Sequence, residues 1–204
     1  MKKTRKAGKT SKSAGKKPAP RKTKTVAARK PKRTPKVDHD AMMAAWQKAM
    51  TPAGGHQRLE PMVGSWTART TFVMAPGAPS QVSEGTSENR WVLGGRYLEQ
   101  VYKGMSMGMP FEGIGYTGFD NTRNRYVGAW MDTFGTGLMN SLGVGKPSAE
   151  KMEFESLAYQ PSGKPVRYWS RIRVQDHDHH AYEMWTKAPN GRKFRSMMVE
   201  YTRK

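Results

Sequence analysis

After Gly64 the sequence is a succession of short segments rich in Tyr, Phe, Trp, Val, Thr and Met, each bounded by turn-forming residues. This pattern is typical of antiparallel β-strands. The intervals between the segments are too short to hold helices, which excludes a doubly wound parallel sheet. The predicted strands are Ser65–Met74, Val82–Leu93, Arg96–Lys103, Phe111–Phe119, Arg125–Thr133, Gly137–Gly143, Met152–Tyr159, Arg167–Gln175, Ala181–Lys187 and Phe194–Thr202.

The connections between these segments contain the residues that tight turns require. They supply the fixed or positive φ values of hairpin loops at Pro76-Gly77-Ala78-Pro79, Gly94-Gly95, Asp120-Asn121, Pro161-Ser162-Gly163 and Pro189-Asn190-Gly191. Successive antiparallel strands close most economically into an up-and-down β-barrel, because closure removes the exposed sheet edges. We therefore predict an all-β protein with an antiparallel up-and-down barrel of about ten strands, and a two-sheet sandwich is the alternative.

Two short α-helices are predicted before the first strand. Asp38 or Asp40 can cap a helix in which Met43, Trp46 and Met50 form one apolar stripe, and Pro52 ends this helix. A second helix is predicted over His56–Val63. The barrel and its helices should form one domain over residues 38–204.

Residues 1–37 differ in composition from the rest of the chain. Residues 1–36 contain 16 Lys and Arg and no Asp or Glu, so +16 of the net charge of +20 lies there. The segment has no aromatic residue and one Val, and it cannot bury enough apolar area to offset the entropy of ordering. We predict a disordered basic tail.

A tail of this charge can neutralise nucleic-acid phosphates without reading sequence, since it has no ring to stack on a base. A solvated solubility or targeting tail is the alternative. The residues predicted to bind nucleic acid are Lys2, Lys3, Arg5, Lys6, Lys9, Lys12, Lys16, Lys17, Arg21, Lys22, Lys24, Arg29, Lys30, Lys32, Arg33 and Lys36.

The sequence has no cysteine, no apolar run of 18 residues and no apolar signal segment at its N-terminus. Disulfides and thiolate chemistry are therefore excluded, and a membrane-spanning helix is not expected. We expect a cytoplasmic protein, which its basic tail could associate with the nucleoid.

The stretch FEGIGYTGFD places Gly113, Gly115 and Gly118 at the G-x-G-x-x-G spacing of dinucleotide-binding loops. Such a loop needs a helix directly after it, because the helix N-terminus binds the pyrophosphate. Here Asp120-Asn121 and a further strand follow. We interpret Gly113 and Gly115 as strand positions on one face that make room for an aromatic ring or bend the barrel wall.

One long run, LGGRYLEQVYKGMSMGMPFEGIGYTGFDNTRNRYVGAWMDTFGTGLMNS, carries a family resemblance together with AWQKAMTP, DHHAYEMW and MMVEYTRK. These segments resemble the bacterial domain-of-unknown-function family 1579 over nearly all of residues 38–204. The resemblance implies a calycin-like or lipocalin-like β-barrel, to which the G-x-W pattern at Gly64-Ser65-Trp66 also fits. The family has no established activity. The basic tail resembles those of linker-histone-like proteins in composition only.

Several residue groups could carry chemistry, and each has a simpler interpretation. Asp176-His177-Asp178-His179-His180 could bind a metal, or one histidine could bind haem, but a polar turn is the better interpretation, and we predict no metal or cofactor. Whether His177, His179 and His180 bind metal stays open. Alternating Met105, Met107 and Met109 would share one strand face, as an apolar lid or a Cu(I) site.

The candidate acid–base residues are Glu99, Glu112, Asp132 and Glu183, with Arg96 and Tyr116 nearby in the strand order. A buried carboxylate would indicate function, whereas surface carboxylates paired with Arg are the more common case. Trp130 and Asp132 must point away from Val127, Ala129 and Met131, so only one set can face the interior.

We therefore expect a non-enzymatic binding module for a small apolar ligand, with Trp66, Tyr97, Tyr116 and Trp130 as its lining and with nucleic acid bound through the tail. One alternative is a histone-like compaction protein whose barrel forms homo-oligomers. The other is an enzyme that uses an inward carboxylate or histidine.

Overall fold

Ten antiparallel strands pair in sequence order, and β1 pairs with both β2 and β10, which closes the sheet into a barrel. This computed structural model describes residues 38–146 and 151–204, so the predicted tail and its nucleic-acid-binding residues lie outside the described residues. The strands are β1 Gly64–Phe72, β2 Gln81–Val92, β3 Tyr97–Ser106, β4 Met109–Asp120, β5 Arg125–Asp132, β6 Met139–Val144, β7 Lys151–Tyr159, β8 Pro165–Val174, β9 His179–Lys187 and β10 Lys193–Arg203. The predicted up-and-down barrel is confirmed.

One regular helix, α1, precedes the barrel at His39–Met50, and the Asp38 side chain caps it by accepting a hydrogen bond from the Ala41 amide. The predicted second helix is instead one α-turn, α2 at Gly54–Gln57, followed by a 3₁₀ turn at Glu60–Met62. Pro61 has no N–H to donate, so the α-helical bonding cannot continue through it. Among the described residues no helix is long and apolar enough to span a bilayer.

The segment from α2 to the 3₁₀ turn closes one end of the barrel, here called the helix end. Leu59 and Met62 are buried there and pack with Leu98, Tyr126 and Phe154 from the barrel wall. The loops after β1, β3, β5, β7 and β9 lie at the other end, the open end, where no described helix covers the barrel.

The segment from α2 to the 3₁₀ turn is here called the plug, and side chains of the barrel bind its backbone carbonyls. The Met62 carbonyl accepts hydrogen bonds from Trp66 Nε1 at 3.0 Å and from Asn89 Nδ2 at 2.8 Å. Arg203 donates to the carbonyls of Pro61 and Val63 at 2.8 and 2.7 Å, and its guanidinium lies 4.1 Å from the Trp66 ring centroid. The last strand therefore fastens the plug to the first strand.

The glycines at positions 113 and 115 face the barrel interior beneath the Trp130 ring. A Cβ atom would lie 2.2 Å from Trp130 Cζ2 if built on Gly113, and 2.9 Å from Cε3 if built on Gly115. The interpretation that these glycines make room for an aromatic ring is confirmed. No helix follows them, since β4 turns directly into β5.

His180 is buried near the helix end among aromatic rings. It stacks on Tyr201 with ring centroids 4.3 Å apart and meets the edge of Trp66 at the same distance. Its Nδ1 atom is buried and has no hydrogen-bond partner among the described residues. Burial and the charge of Arg203 lower the pKa of His180 to about 4.

We predict that Gly113→Ala destabilises the barrel by about 1–3 kcal/mol, because the added methyl group overlaps the Trp130 ring. Gly54→Ala is the matched control, since a Cβ there meets nothing within 4 Å. Urea unfolding measures both. In a Trp130→Ala background the Gly113 change should cost less, and an undiminished cost would contradict the proposed overlap.

We also predict that acid destabilises the fold through His180. The unfolded chain gains a proton near pH 6.5, whereas the folded protein resists it until about pH 4, so stability falls as the pH drops through this window and is unaffected above it. The total effect is about 3 kcal/mol. His180→Phe should flatten the slope in unfolding measured from pH 7 to 4.

The flattening should be partial, because burial also lowers the pKa of His56 and this histidine adds to the same slope. His39→Phe controls for the loss of an exposed histidine. An unchanged slope in His180→Phe would mean that His180 is protonated in the folded state.

Candidate ligand-binding site

The interior near the open end is lined by aromatic and methionine side chains. The pairing register directs them inward, since Trp130 pairs with Met139, and Met184 with Met197. They are half-buried although they face the interior, and Phe111, Trp130 and Met197 pack against the buried core beside them. This lumen lining consists of Phe111, Trp130, Met139, Tyr168, Met184 and Met197.

Small residues occupy many of the inward positions between these large side chains. An eight-stranded barrel is just wide enough for side chains to fill, and ten strands enclose more space. Small residues at these positions contribute little side-chain volume to the interior. The small inward residues are Gly85, Gly104, Gly128, Ser141, Ser156, Ala158 and Ser170.

Deeper in the barrel a polar layer, here called the polar floor, lies below the lumen lining. Gln100 Nε2 donates to Ser87 Oγ at 2.9 Å and to the Tyr201 hydroxyl at 3.2 Å. The Tyr102 hydroxyl lies 3.3 Å from Thr70 Oγ1. Burial raises the pKa of Tyr201 and of Tyr182, so both hydroxyls stay protonated and can donate hydrogen bonds.

The four predicted lining residues divide between the two faces of the barrel. Trp66 and Trp130 face inward: Trp66 is fully buried against His180, and Trp130 belongs to the lumen lining. Tyr97 and Tyr116 face outward, opposite in parity to the buried Leu98 and Gly115. Of the four, the two tryptophans therefore face the barrel interior and the two tyrosines face its exterior.

Three of the candidate carboxylates point outward into ion pairs. Glu99 accepts hydrogen bonds from Arg90 at 2.7 Å and from the Tyr116 hydroxyl at 2.9 Å, and these bonds lower the pKa of Glu99. Glu112 lies near Lys103 in an exposed pair.

Glu183 is buried beneath three arginines on the outer surface of β8 to β10. Arg195 Nη1 lies 2.8 Å from Glu183 Oε1, while Arg173 and Arg171 lie 3.5 and 3.8 Å from Oε2. The three guanidinium groups offset the cost of burying the Glu183 carboxylate, so its burial does not require a bound substrate.

Asp132 faces the interior, and both of its oxygens have partners. Oδ2 accepts a hydrogen bond from Trp130 Nε1 at 2.8 Å, and Oδ1 accepts one from the Phe134 amide at 3.0 Å. Asp132 therefore fixes the orientation of the Trp130 ring within the lumen lining. Arg96 donates to the Met50 carbonyl and ties α1 to the β2–β3 turn.

The three clustered histidines point in different directions. His177 is exposed on the β8–β9 loop and His179 is exposed at the start of β9, and their Nδ1 atoms lie 2.6 Å from Asp178 and 2.9 Å from Asp176. His180 lies alone inside the barrel. Within residues 38–146 and 151–204, no three His, Asp or Glu side chains come together as a metal site.

The expectation that Met105, Met107 and Met109 share a strand face is wrong. Met107 and Gly108 form the β3–β4 turn, both with positive φ, so Met105 ends one strand and Met109 begins the next. A two-residue hairpin turn of this kind has positive φ at both central residues. In the sequence, Gly108 alone indicated this turn.

Sequence reasoning missed the residues of the polar floor, in particular Gln100, Tyr102, Tyr182 and Tyr201. On β3 the residues Glu99 and Val101 look as suited to the interior as Gln100 and Tyr102 do. Parity alone cannot distinguish the faces of such a strand. The sequence signal for the inward face was the apolar Leu98, which alternates with Gln100 and Tyr102 on one face of β3.

Comparison with solved structures gives the fold. Rv2717c from M. tuberculosis matches with a TM-score of 0.57 at 17% sequence identity, over 76% of this chain and 99% of that one. A redesigned β-barrel, b11L5F_LGL, matches at 12% identity with a TM-score of 0.40, over 72% of this chain and 95% of that one. EF1p2_mFAP2b, solved bound to DFHBI, matches at 11% identity with a TM-score of 0.43, over 74% of this chain and all of that one.

No curated protein matches the sequence. A family model described as "Protein of unknown function (DUF1579)" matches residues 51–203, which cover the plug and the ten strands. The chain therefore belongs to the DUF1579 family, as the resemblance of its segments predicted.

Proposed function

We propose that the barrel is a non-enzymatic binding module that takes a small, mainly apolar ligand through its open end. The observation that carries the proposal is the half-buried set of inward aromatic and methionine side chains at that end. Concave sites lined by apolar side chains with a few placed polar groups are the usual form of small-molecule sites. Methionines suit such a lining, since they adapt to ligands of different shape.

The polar floor indicates the chemistry of the ligand's inner end. Tyr182 and Tyr201 present hydroxyl donors inside the barrel, whereas both N–H groups of Gln100 already bond to Ser87 and Tyr201. A buried donor gains most from a ligand that accepts its hydrogen bond. The ligand would therefore carry a carbonyl, ether or hydroxyl oxygen at its inner end. Its apolar body would lie against the lumen lining.

A binding role accounts for the inward carboxylate better than an enzymatic one. Asp132 accepts hydrogen bonds from Trp130 Nε1 and from the Phe134 amide, so its role is to hold the Trp130 ring in place in the lumen lining. Glu99, Glu112 and Glu183 face away from the lumen and are held by basic residues.

The basic tail supports a second role, which is non-specific binding of nucleic acid. This proposal rests on the charge of +16 over residues 1–36, where no acidic residue interrupts the basic ones. The tail would hold the barrel near the nucleoid in the cytoplasm. A compaction role of the histone-like kind would require that the barrel also joins copies together.

We predict that Ala158→Phe weakens binding of the neutral probe N-phenylnaphthylamine by at least about tenfold, because a large ring at this inward position near the open end fills the lumen. Leu157→Phe is the matched control, since the neighbouring side chain points outward. Fluorescence titration measures both affinities. Equal loss in both variants, or none in either, would contradict a site inside the barrel.

We predict that removing residues 2–36 abolishes salt-sensitive binding to duplex DNA, because these residues carry the phosphate-neutralising charge. The affinity of the full chain should fall steeply with salt, with little preference between DNA sequences. Fluorescence anisotropy at several salt concentrations measures this. DNA binding that survives the deletion would contradict the role of the tail, while unchanged thermal unfolding would show that the barrel is intact.

A further inference from the structure

One side of the barrel exterior is an apolar surface, here called the apolar wall. It consists of eight outward apolar side chains, seven from β4, β5 and β6 and one from β7. Ile114 pairs across strands with Met131, and Val127 pairs with Leu142. The members are Ile114, Tyr116, Val127, Ala129, Met131, Leu142, Val144 and Leu157.

Five of the eight side chains of the apolar wall are exposed, and the other three are half-buried. Ile114 and Met131 retain 38% and 37% of their surface, and Leu142, Val144 and Leu157 retain 41–44%. Monomeric proteins rarely leave contiguous apolar surfaces of this kind uncovered, and such surfaces commonly mark interfaces. The opposite exterior, at β8 to β10, instead carries the Glu183 ion pairs.

Helix α1 is a second apolar feature without a partner. It has no buried residue, and Met43, Trp46 and Met50 are exposed at 56, 59 and 49%. A helix of 12 residues is marginal in water and is usually stabilised by packing of its apolar face. Among the described residues, nothing covers the stripe formed by Met43, Trp46 and Met50.

The attachment of α1 places these two features at the same part of the molecule. Asn121 Nδ2 donates to the carbonyls of Lys48, Ala49 and Thr51, at 3.3, 3.2 and 2.7 Å. Asn121 lies in the turn between β4 and β5, which are two of the strands of the apolar wall. The C-terminal end of α1 is therefore fixed at the foot of the wall.

The stripe and the wall match in size, and both are made of uncharged apolar side chains. A helix of 12 residues is about 18 Å long, and the wall extends roughly 15 Å along its strands and about as far across them. Both surfaces present aliphatic, thioether and aromatic groups, and the charged side chains next to the wall lie at its edges, at Glu99, Glu112, Glu153 and Glu155. No residue of α1 is buried, so its stripe does not pack on the wall of its own barrel, and the wall of a second copy offers it a surface of matching size.

We propose that two copies of this chain form a dimer in which the Met43, Trp46 and Met50 stripe of each α1 packs on the apolar wall of the other copy. Such an exchange is two-fold symmetric, since each copy offers the same helix and the same wall. It also places both N-terminal tails on one assembly. Two linked tails would bind a polyanion more tightly than one.

The first test is sedimentation velocity on the full chain across a range of concentrations, at about 0.3 M salt to screen repulsion between the tails. We expect a dimer. Met131→Glu and Leu142→Lys in the wall, and Trp46→Ala in the helix, should each raise the dimer dissociation constant at least tenfold.

Met74→Glu is the matched control, because Met74 is exposed at 64% but lies in the β1–β2 loop at the open end. It should change the dissociation constant less than twofold. Circular dichroism melting of each variant distinguishes loss of the interface from loss of the fold. A chain that stays monomeric, or wall variants that dimerise like the control, would overturn the proposal.

The second test determines which wall the helix contacts. A photo-crosslinking residue replaces Trp46 in chain labelled with ¹⁵N, which is then mixed with unlabelled chain. Mass spectrometry of the crosslinked peptides should join the labelled helix to unlabelled peptides of β4–β6. Crosslinks found only within labelled peptides would show that α1 packs on its own wall, or that no exchange occurs, and either result would overturn the proposal.

Discussion

The hydrogen-bonded pairing of β1 with β10 is the interaction on which the rest of the structure depends. It runs from Trp66–Arg203 to Phe72–Met197 and leaves neither strand with a free edge. It also fixes which face of each strand is inside, because a slip of one residue would turn Trp66 and Tyr201 outward. The same register brings Arg203 beneath the plug, where it binds the carbonyls of Pro61 and Val63.

Closure at ten strands gives the two ends of the barrel different roles. Leu59 and Met62 fill one end, and the carbonyl of Met62 is fixed by Trp66 and Asn89. Glycine, alanine and serine occupy many inward positions toward the other end, between the rings and thioethers of the lumen lining.

The exterior is divided as sharply as the interior. On β8 to β10, Glu183 is surrounded by arginines, and Lys193 lies over the rings of Trp169 and Trp185. On β4 to β6 most outward side chains are apolar, and the charged Glu112 and Arg125 lie at the ends of the strands. A barrel with one charged side and one apolar side can remain soluble while presenting a single surface for association.

Local sequence predicted the strands and turns well, because each hairpin has its own turn chemistry and each strand its own composition. It was less successful where a local pattern fits two arrangements. The predicted His56–Val63 helix is instead two short turns, α2 and the 3₁₀ turn that contains Pro61. The turn at Met107 and Gly108 places the alternating methionines on two different strands. Tyr97 and Tyr116, chosen as aromatic lining residues, lie outside, since Leu98 and Gly115 take the inward positions.

The amino-acid sequence by itself determined the all-β barrel, the helix before it, the basic composition of residues 1–36 and the role of Gly113 and Gly115, since these follow from composition, turn residues and local spacing. The tertiary structure alone decided which face is the interior, the assembly of the polar floor from Gln100, Tyr182 and Tyr201, and the grouping of the apolar wall. Those features join residues from separate strands, and their contacts exist only once the register around the closed barrel is set.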